Sequence, residues 1–254
     1  MNVFGSTRSR IRPHYALITP DTHVLSPLVG WSNASAIIHI SPELGARFLQ
    51  YTAILAAGSK SATPHDSVER FVYVLEGTVD VEVRSANKAT EPTQLTPGGF
   101  GYFPAGHFHN ITSSAPAKLL VFEKVYRPLP GDDAPRVYFG NETKVDAIPF
   151  MGDPAARLKT LLPIEPAFDM AVNIFTYDPG ATLPQVEIHV MEHGLQMIAG
   201  MGVYRLGDDY HPVAAGDVIW MAPFCPQWFV AMGKEPARYI YYKDIHRDGL
   251  EGMK

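Results

Sequence analysis

The chain has 254 residues, 46% of them hydrophobic and 19% charged, with a formal net charge of −5. It is long enough to bury one large core or two small ones, and its mild negative charge argues against a nucleic-acid-binding surface. A lone cysteine, Cys225, leaves no internal disulfide, no run approaches the ~18–20 apolar residues of a membrane-spanning helix, and MNVFGSTRSR has no apolar leader core, so the reading is a cytoplasmic protein.

The first element is a short basic arm carrying Arg8, Arg10 and Arg12, read as solvated or interface-forming. Strand patterning follows. FVYVL (Phe71–Leu75) and TVDVEV (Thr78–Val83) alternate with period two and are rich in β-branched and aromatic residues. They lead into LTPGGFGYFPAGHFH, a Gly turn, an apolar strand and a Pro-bearing loop that ends on histidine. The segment 128–163 reads as a connection: PLPGDDAP has loop composition, and DPAARLKTLLP is the best short-helix candidate in the chain. The second half then repeats the first. MIAGMGVYRL leads to VAAGDVIWMAPFCPQ, and RYIYYKD closes as an alternating strand. Frequent Gly and Pro (21 and 22 residues) set strands at short intervals, and the internal repeat points to an all-β protein of two sandwich or barrel domains. The expected division is an N-terminal domain with its arm over 1–130, a linker with a short helix over 131–165 and a C-terminal domain over 166–254.

Before each repeat lies a polar stretch holding Glu and His: HDSVER in the first half and VEIHVMEHG in the second. His189-Val-Met-Glu192-His193 fits H-x-x-E-H, an inverted zinc-protease motif that needs a helix. Pro184 and Gly180 before it, Gly194 after it and the strand-like LQMIAGMGVY oppose one. On a strand, Glu187, His189 and His193 share one face and Glu192 points away. Gln227, after the Pro-rich turn, is the candidate fourth ligand. Two nitrogens, a carboxylate and an amide oxygen suit a fairly hard six-coordinate ion such as Mn(II) or Fe(II), with positions left for water or substrate.

The halves resemble two cupin domains, which implies a bicupin of two jelly-roll barrels. The C-terminal signature reads Gly180, Glu187, His189, His193, Gly200, then Gly216, Pro223, Gln227. The ligand types are permuted against the usual cupin pattern: Glu replaces the first His, His replaces Glu, and Gln replaces the last His. This permuted set resembles the (S)-ureidoglycine aminohydrolases of purine catabolism. The likeness extends through GVYRLGDDYHPVAAGDVIWMAPFCPQWF and YIYYKDIHRD, and in the first half through HYALITPDTHV, FVYVLEG and VYRPL.

The resemblance implies Mn(II) in the C-terminal barrel on Glu187, His189, His193 and Gln227, and conversion of (S)-ureidoglycine and water to (S)-ureidoglycolate and ammonia. It assigns substrate contacts to Glu187, Gln227, Tyr239, Lys243 and Tyr204, with Lys243 and Glu187 catalytic. Lys243 would hold the substrate carboxylate as an ammonium or move protons; Tyr239 would contact substrate or fill the barrel. In the first half His65, Glu69 and His109 match cupin ligand positions loosely, with His107 nearby and the Glu69–Gly77 spacing one residue too long. Two other classes compete: an oxygen-dependent Mn or Fe bicupin (a dioxygenase or decarboxylase), and a binding or storage protein without chemistry. The expected partners are a small-molecule substrate and, from exposed barrel edges, further copies of the chain; neither nucleic acid nor membrane is expected. Cys225 is expected to be packing.

Overall fold

The computed structural model describes residues 7–85, 88–89, 91–131 and 133–247. The opening MNVFGS, read above for a leader, lies outside the described residues. Strands take 56% of the described residues and helix 4%, the latter as 3₁₀ turns at Pro20–Thr22, Pro42–Leu44 and Glu142–Lys144. Among the described residues no helix is long and apolar enough to cross a membrane. The expected all-β, two-barrel architecture is therefore what the chain adopts.

The chain divides into two compact units, one of Val24–Lys144 and one of Met1–His23 with Val145–Lys254. The first is built on an 11-stranded antiparallel sheet. Its central strands are Val68–Glu76, Ala117–Val125 and Leu49–Lys60, and their alternate residues Val72, Val74, Leu119, Val121, Tyr51 and Ala53 meet in one apolar core. The second unit pairs an eight-stranded sheet with a three-stranded one. Across the larger sheet run Arg10–Arg12, Tyr15–Ile18, Val218–Met221, His193–Ala199, Ala237–Asp244, Met170–Tyr177, Asp153–Thr160 and Ile148–Phe150. The smaller holds Asp209–Ala214, Met201–Leu206 and Gln227–Met232.

Two sequence expectations are corrected here. The N-terminal arm does not belong with the first repeat: Tyr15–Ile18 pairs with Val218–Met221, and Arg8 forms a bidentate pair with Asp217 at 2.6 and 2.9 Å. A strand consumes its partners wherever the sheet has an open edge, and chain order does not dictate which edge that is. The stretch expected as a helical linker is also strand. Asp153–Thr160 pairs with Met170–Tyr177 on one side and Ile148–Phe150 on the other. Its period-two pattern was present all along: Ala156 is buried, while Arg157 on the opposite face pairs with Asp178 at 2.6 Å. A short helix has little intrinsic stability, so two flanking strands decide the matter.

The internal repeat is visible at atomic detail in two glycines. Gly77 and Gly200 have φ of 76° and 70°. A Cβ on Gly77 would lie 2.5 Å from the Pro116 carbonyl and 2.8 Å from Ala117; on Gly200 it would lie 2.5 Å from the Pro236 carbonyl and 2.7 Å from Ala237. Each glycine therefore turns the chain beneath an equivalent Pro–Ala step that starts the last long strand of its unit. Both the left-handed backbone and the contact forbid a side chain. Gly200→Ala is expected to destabilise the C-terminal unit by about 3 kcal/mol, read as a lowered urea midpoint at unchanged slope.

Candidate active site

The segment VEIHVMEHG forms neither a helix nor one continuous strand. Residues 180–189 run antiparallel to the strand Gln227–Met232 and the turn before it. The contacts are Gly180 N–H to the Ala231 carbonyl (3.0 Å), Leu183 N–H to Phe229 (2.9 Å), and a reciprocal pair between Glu187 and Gln227 (2.8 and 3.0 Å). The run ends where the Phe224 N–H donates to the His189 carbonyl at 2.7 Å, with Phe224 itself at φ 62°. Only at His193 does a regular strand begin, and it lies in the other sheet, opposite Met221 and Lys243. The chain thus turns the corner between the unit's two sheets within Val190–Glu192. Glu187 and His189 come from one side of that corner and His193 from the other. Simple strand parity groups Glu187, His189 and His193, but a sheet crossover, not one continuous strand, is what brings them to one cavity wall.

Their side chains line a cavity of about 150 Å³ together with Met191, Tyr204, Gln227, Tyr239, Tyr241 and Lys243. The His189 and His193 Nε2 atoms stand 3.1 Å apart, and the Gln227 amide is 2.9 Å from His189 Nε2. Tyr204 donates to Gln227 Oε1 at 3.4 Å. Among the described residues no three His, Cys, Asp or Glu side chains are grouped as a ligand set; here two imidazoles and an amide converge, with Glu187 on the same wall. The chemistry of this set fits a divalent ion. Two nitrogens bound at about 2.1 Å at a right angle are about 3.0 Å apart, close to the observed imidazole separation. A half-turn of the Gln227 amide presents its oxygen in place of its nitrogen.

The electrostatics keep the imidazoles ready to ligate. Burial, then the neighbouring His189 and Lys243, push His193 well below the usual histidine range, and a hydrogen bond to the Tyr242 backbone opposes this only in part. Burial and Lys243 lower His189 in the same sense. Both rings are neutral at physiological pH, so each offers a lone pair. Burial raises the Glu187 carboxyl, and the Lys243 ammonium counters it. Lys243 is in turn lowered by burial and supported by Glu187 and Asp244.

One wall is aromatic. The Tyr239 hydroxyl meets that of Tyr177 at 3.0 Å, and Tyr241 stacks on Phe175 (5.7 Å, 12°) and lies 5.5 Å from the His193 ring. The family resemblance assigns substrate contacts to Tyr239 and Lys243 but passes over Tyr241. It stands between them at the same parity, so the signal was there. Tyr177, on the adjacent strand, gave no such signal. Cys225 is buried, its thiol pushed up to about 11 by burial, and it packs in the core.

The first unit treats its equivalent positions differently. Counting from the matched Gly–Pro–Ala turns, Arg70 stands where His193 stands and Glu123 where Lys243 stands, and the two pairs face each other across the same ladder. Arg70 Nε binds Glu123 at 2.5 Å, and its Nη1 lies 3.0 Å from His109 Nε2. The candidate trio His65, Glu69 and His109 is not brought together. His65 is exposed and pairs with Ser67. Glu69 lies on the opposite face of its strand from Arg70, accepting from Tyr102 (2.5 Å) with Lys124 at 3.6 Å. His109 stacks on Phe103 with ring centroids 4.0 Å apart. A guanidinium fills the inner face of this unit.

Comparison with known proteins follows the same lines. The Cupin domain profile matches residues 51–123. A probable (S)-ureidoglycine aminohydrolase of Oryza sativa subsp. japonica is 40% identical over 246 residues, covering 97% of this chain and 78% of its own. The (S)-ureidoglycine aminohydrolase of Arabidopsis thaliana is 38% identical over 97% of this chain and 80% of its own. Among solved structures, protein Ylba from E. coli superposes with a TM-score of 0.83 at 30% identity, over 96% of each chain. At such identity, sustained through both units, the chain belongs to the (S)-ureidoglycine aminohydrolase family.

Proposed function

We propose that the pocket of the C-terminal unit hydrolyses (S)-ureidoglycine to (S)-ureidoglycolate and ammonia, a step of purine catabolism. The observation that carries this reading is the convergence of His189, His193 and the Gln227 amide beside Glu187, with a lysine directly across the ladder from His193, in a chain whose relatives bear that activity in their names. Glu187, His189, His193 and Gln227 would hold a divalent ion, and the mixed nitrogen and oxygen set favours Mn(II) over a thiolate-seeking metal. When bound, the ion supplies a Lewis acid at the reacting carbon's substituents.

The rest is done by the chain. In the overall step the Cα–N bond breaks, a water oxygen bonds to Cα, and the amine leaves with the proton that water gives up. Lys243 pairs with the substrate carboxylate and fixes Cα against the ligand wall. Glu187 takes the water proton and returns it to the departing nitrogen. Tyr204 and Tyr239 direct hydroxyls to the ureido group, while Phe175 and Tyr241 exclude bulk water. The sheet edge at Arg10–Arg12, whose three residues are exposed, supports a homo-oligomer.

The test is ammonia release. Allantoate and an allantoate amidohydrolase generate the substrate in situ, and the protein is added metal-stripped and then refilled with Mn(II). Release above the spontaneous rate is expected only after refilling, and Glu187→Ala is expected to abolish it. A fully metallated protein without acceleration would remove the assignment and favour the oxygen-dependent bicupins.

A further inference from the structure

Glu192, the glutamate of the H-x-x-E-H match, faces away from the pocket and is 1% exposed. Its position explains what it does. The ladder between His193–Ala199 and Ala237–Asp244 ends at the pair His193–Lys243. One residue further out, the Glu192 N–H finds a side chain in place of a strand carbonyl, the Asp244 carboxylate, at 2.6 Å. The Glu192 carboxylate accepts from Trp220 Nε1 at 2.8 Å. Trp220 sits opposite Gly194 on the neighbouring strand, so it reaches Glu192 as a diagonal neighbour on the outer face. On the inner face of the same residue steps lie His193, Lys243 and Met221. Three outer side chains therefore lock the sheet corner whose inner side carries the ligands.

We infer that Glu192, Asp244 and Trp220 form a clamp that fixes the corner Val190–His193, and that they are positioning residues for the metal-binding set and for Lys243. The inference rests on the metal-site reading above. The first unit supports it by analogy: Glu69 and Lys124 occupy the positions of Glu192 and Asp244 and also face each other, at 3.6 Å. In that unit the clamp backs a guanidinium; in this one it backs His193. Charge-assisted hydrogen bonds of this kind hold a backbone more firmly than neutral ones, and partners behind metal ligands commonly account for 10–100-fold in metal affinity.

The experiment is a Mn(II) titration followed by the EPR signal of the free ion, with the melting temperature of each metal-free protein measured alongside. Wild type is compared with Asp244→Ala, Asp244→Asn and Trp220→Phe. Asp244→Ala is expected to raise the Kd for Mn(II) about tenfold or more. Asp244→Asn keeps an acceptor for the Glu192 N–H and is expected to recover most of that loss. Trp220→Phe, which preserves the ring and deletes the donor, is expected to raise Kd a few-fold even if Asp244→Ala does not fold. Wild-type affinity in Asp244→Ala and Trp220→Phe would overturn the clamp, as would an Asp244→Asn defect as large as that of alanine. Absence of Mn(II) uptake by wild type would instead remove the metal-site reading, and the clamp's role with it.

Discussion

Alanine at position 243 is expected to lower kcat/KM for ureidoglycine by about 10³-fold, roughly 4 kcal/mol of transition-state stabilisation, while the protein still takes up Mn(II). Lys243 belongs to no ligand set, yet it stands across the ladder from His193 and lines the same cavity as Glu187. Burial lowers its pKa, and Glu187 and Asp244 oppose that. An ammonium kept in a half-buried pocket by carboxylates on either side is matched to a substrate bearing its own carboxylate. Its removal leaves that carboxylate desolvated and unpaired, the costly half of any buried ion pair. Methionine, of similar length and without charge, is expected to be as poor as alanine. Arginine restores charge but spreads it over a longer planar group, so KM should recover more than kcat. A loss of only a few-fold in Lys243→Ala would reduce Lys243 to a strand-end lysine and return the carboxylate-binding role to the metal or the tyrosines.

Much of the β architecture was legible in the residues, because alternation over FVYVL, TVDVEV and RYIYY is a local signal and a half-buried strand is a local object. The repeat was legible for the same reason: Gly77 and Gly200 are demanded by contacts that recur at Pro116–Ala117 and Pro236–Ala237. What could not be read is pairing at a distance. Nothing in RSRIR or YALI says that these strands complete the second repeat's sheet. DPAARLKT carries helix-compatible residues whose fate is settled by Met170–Tyr177, ten residues downstream. At the site, residue types and spacing bring forward Glu187, His189, His193 and Gln227, while the sheet corner that assembles them is a three-dimensional feature. The first unit shows the limit of motif matching most plainly. Glu69 matches a ligand position only loosely, its spacing to Gly77 being one residue too long, and that one step of register places Arg70 on the inner face and Glu69 outside.

That exchange of a metal position for a guanidinium leads to the other large expected effect, a loss of stability of the N-terminal unit in acid that depends on His109. The imidazole is 1% exposed, stacked on Phe103 and in contact with Arg70. Burial, then the Arg70 charge, lower it to about 3, against a weaker opposing hydrogen bond to the His107 carbonyl. In the unfolded chain the same ring titrates near 6.5. Between these two values the unfolded state binds the extra proton, so acid favours unfolding. The stability present above about pH 6.5 drains away as pH falls and is lost once pH reaches about 3. The slope is about 1.4 kcal/mol per pH unit and the full span about 5 kcal/mol. His109→Gln removes the titration and keeps a polar side chain near Arg70. Urea unfolding at pH 7.5, 6, 5 and 4 should show the wild type losing stability more steeply than the variant by close to that slope, with the two lines parallel above pH 7. Parallel lines through the whole range would mean that Arg70 and Glu123 rearrange to accept a charged His109, and that the guanidinium is not the fixed occupant of the inner face that its contacts indicate.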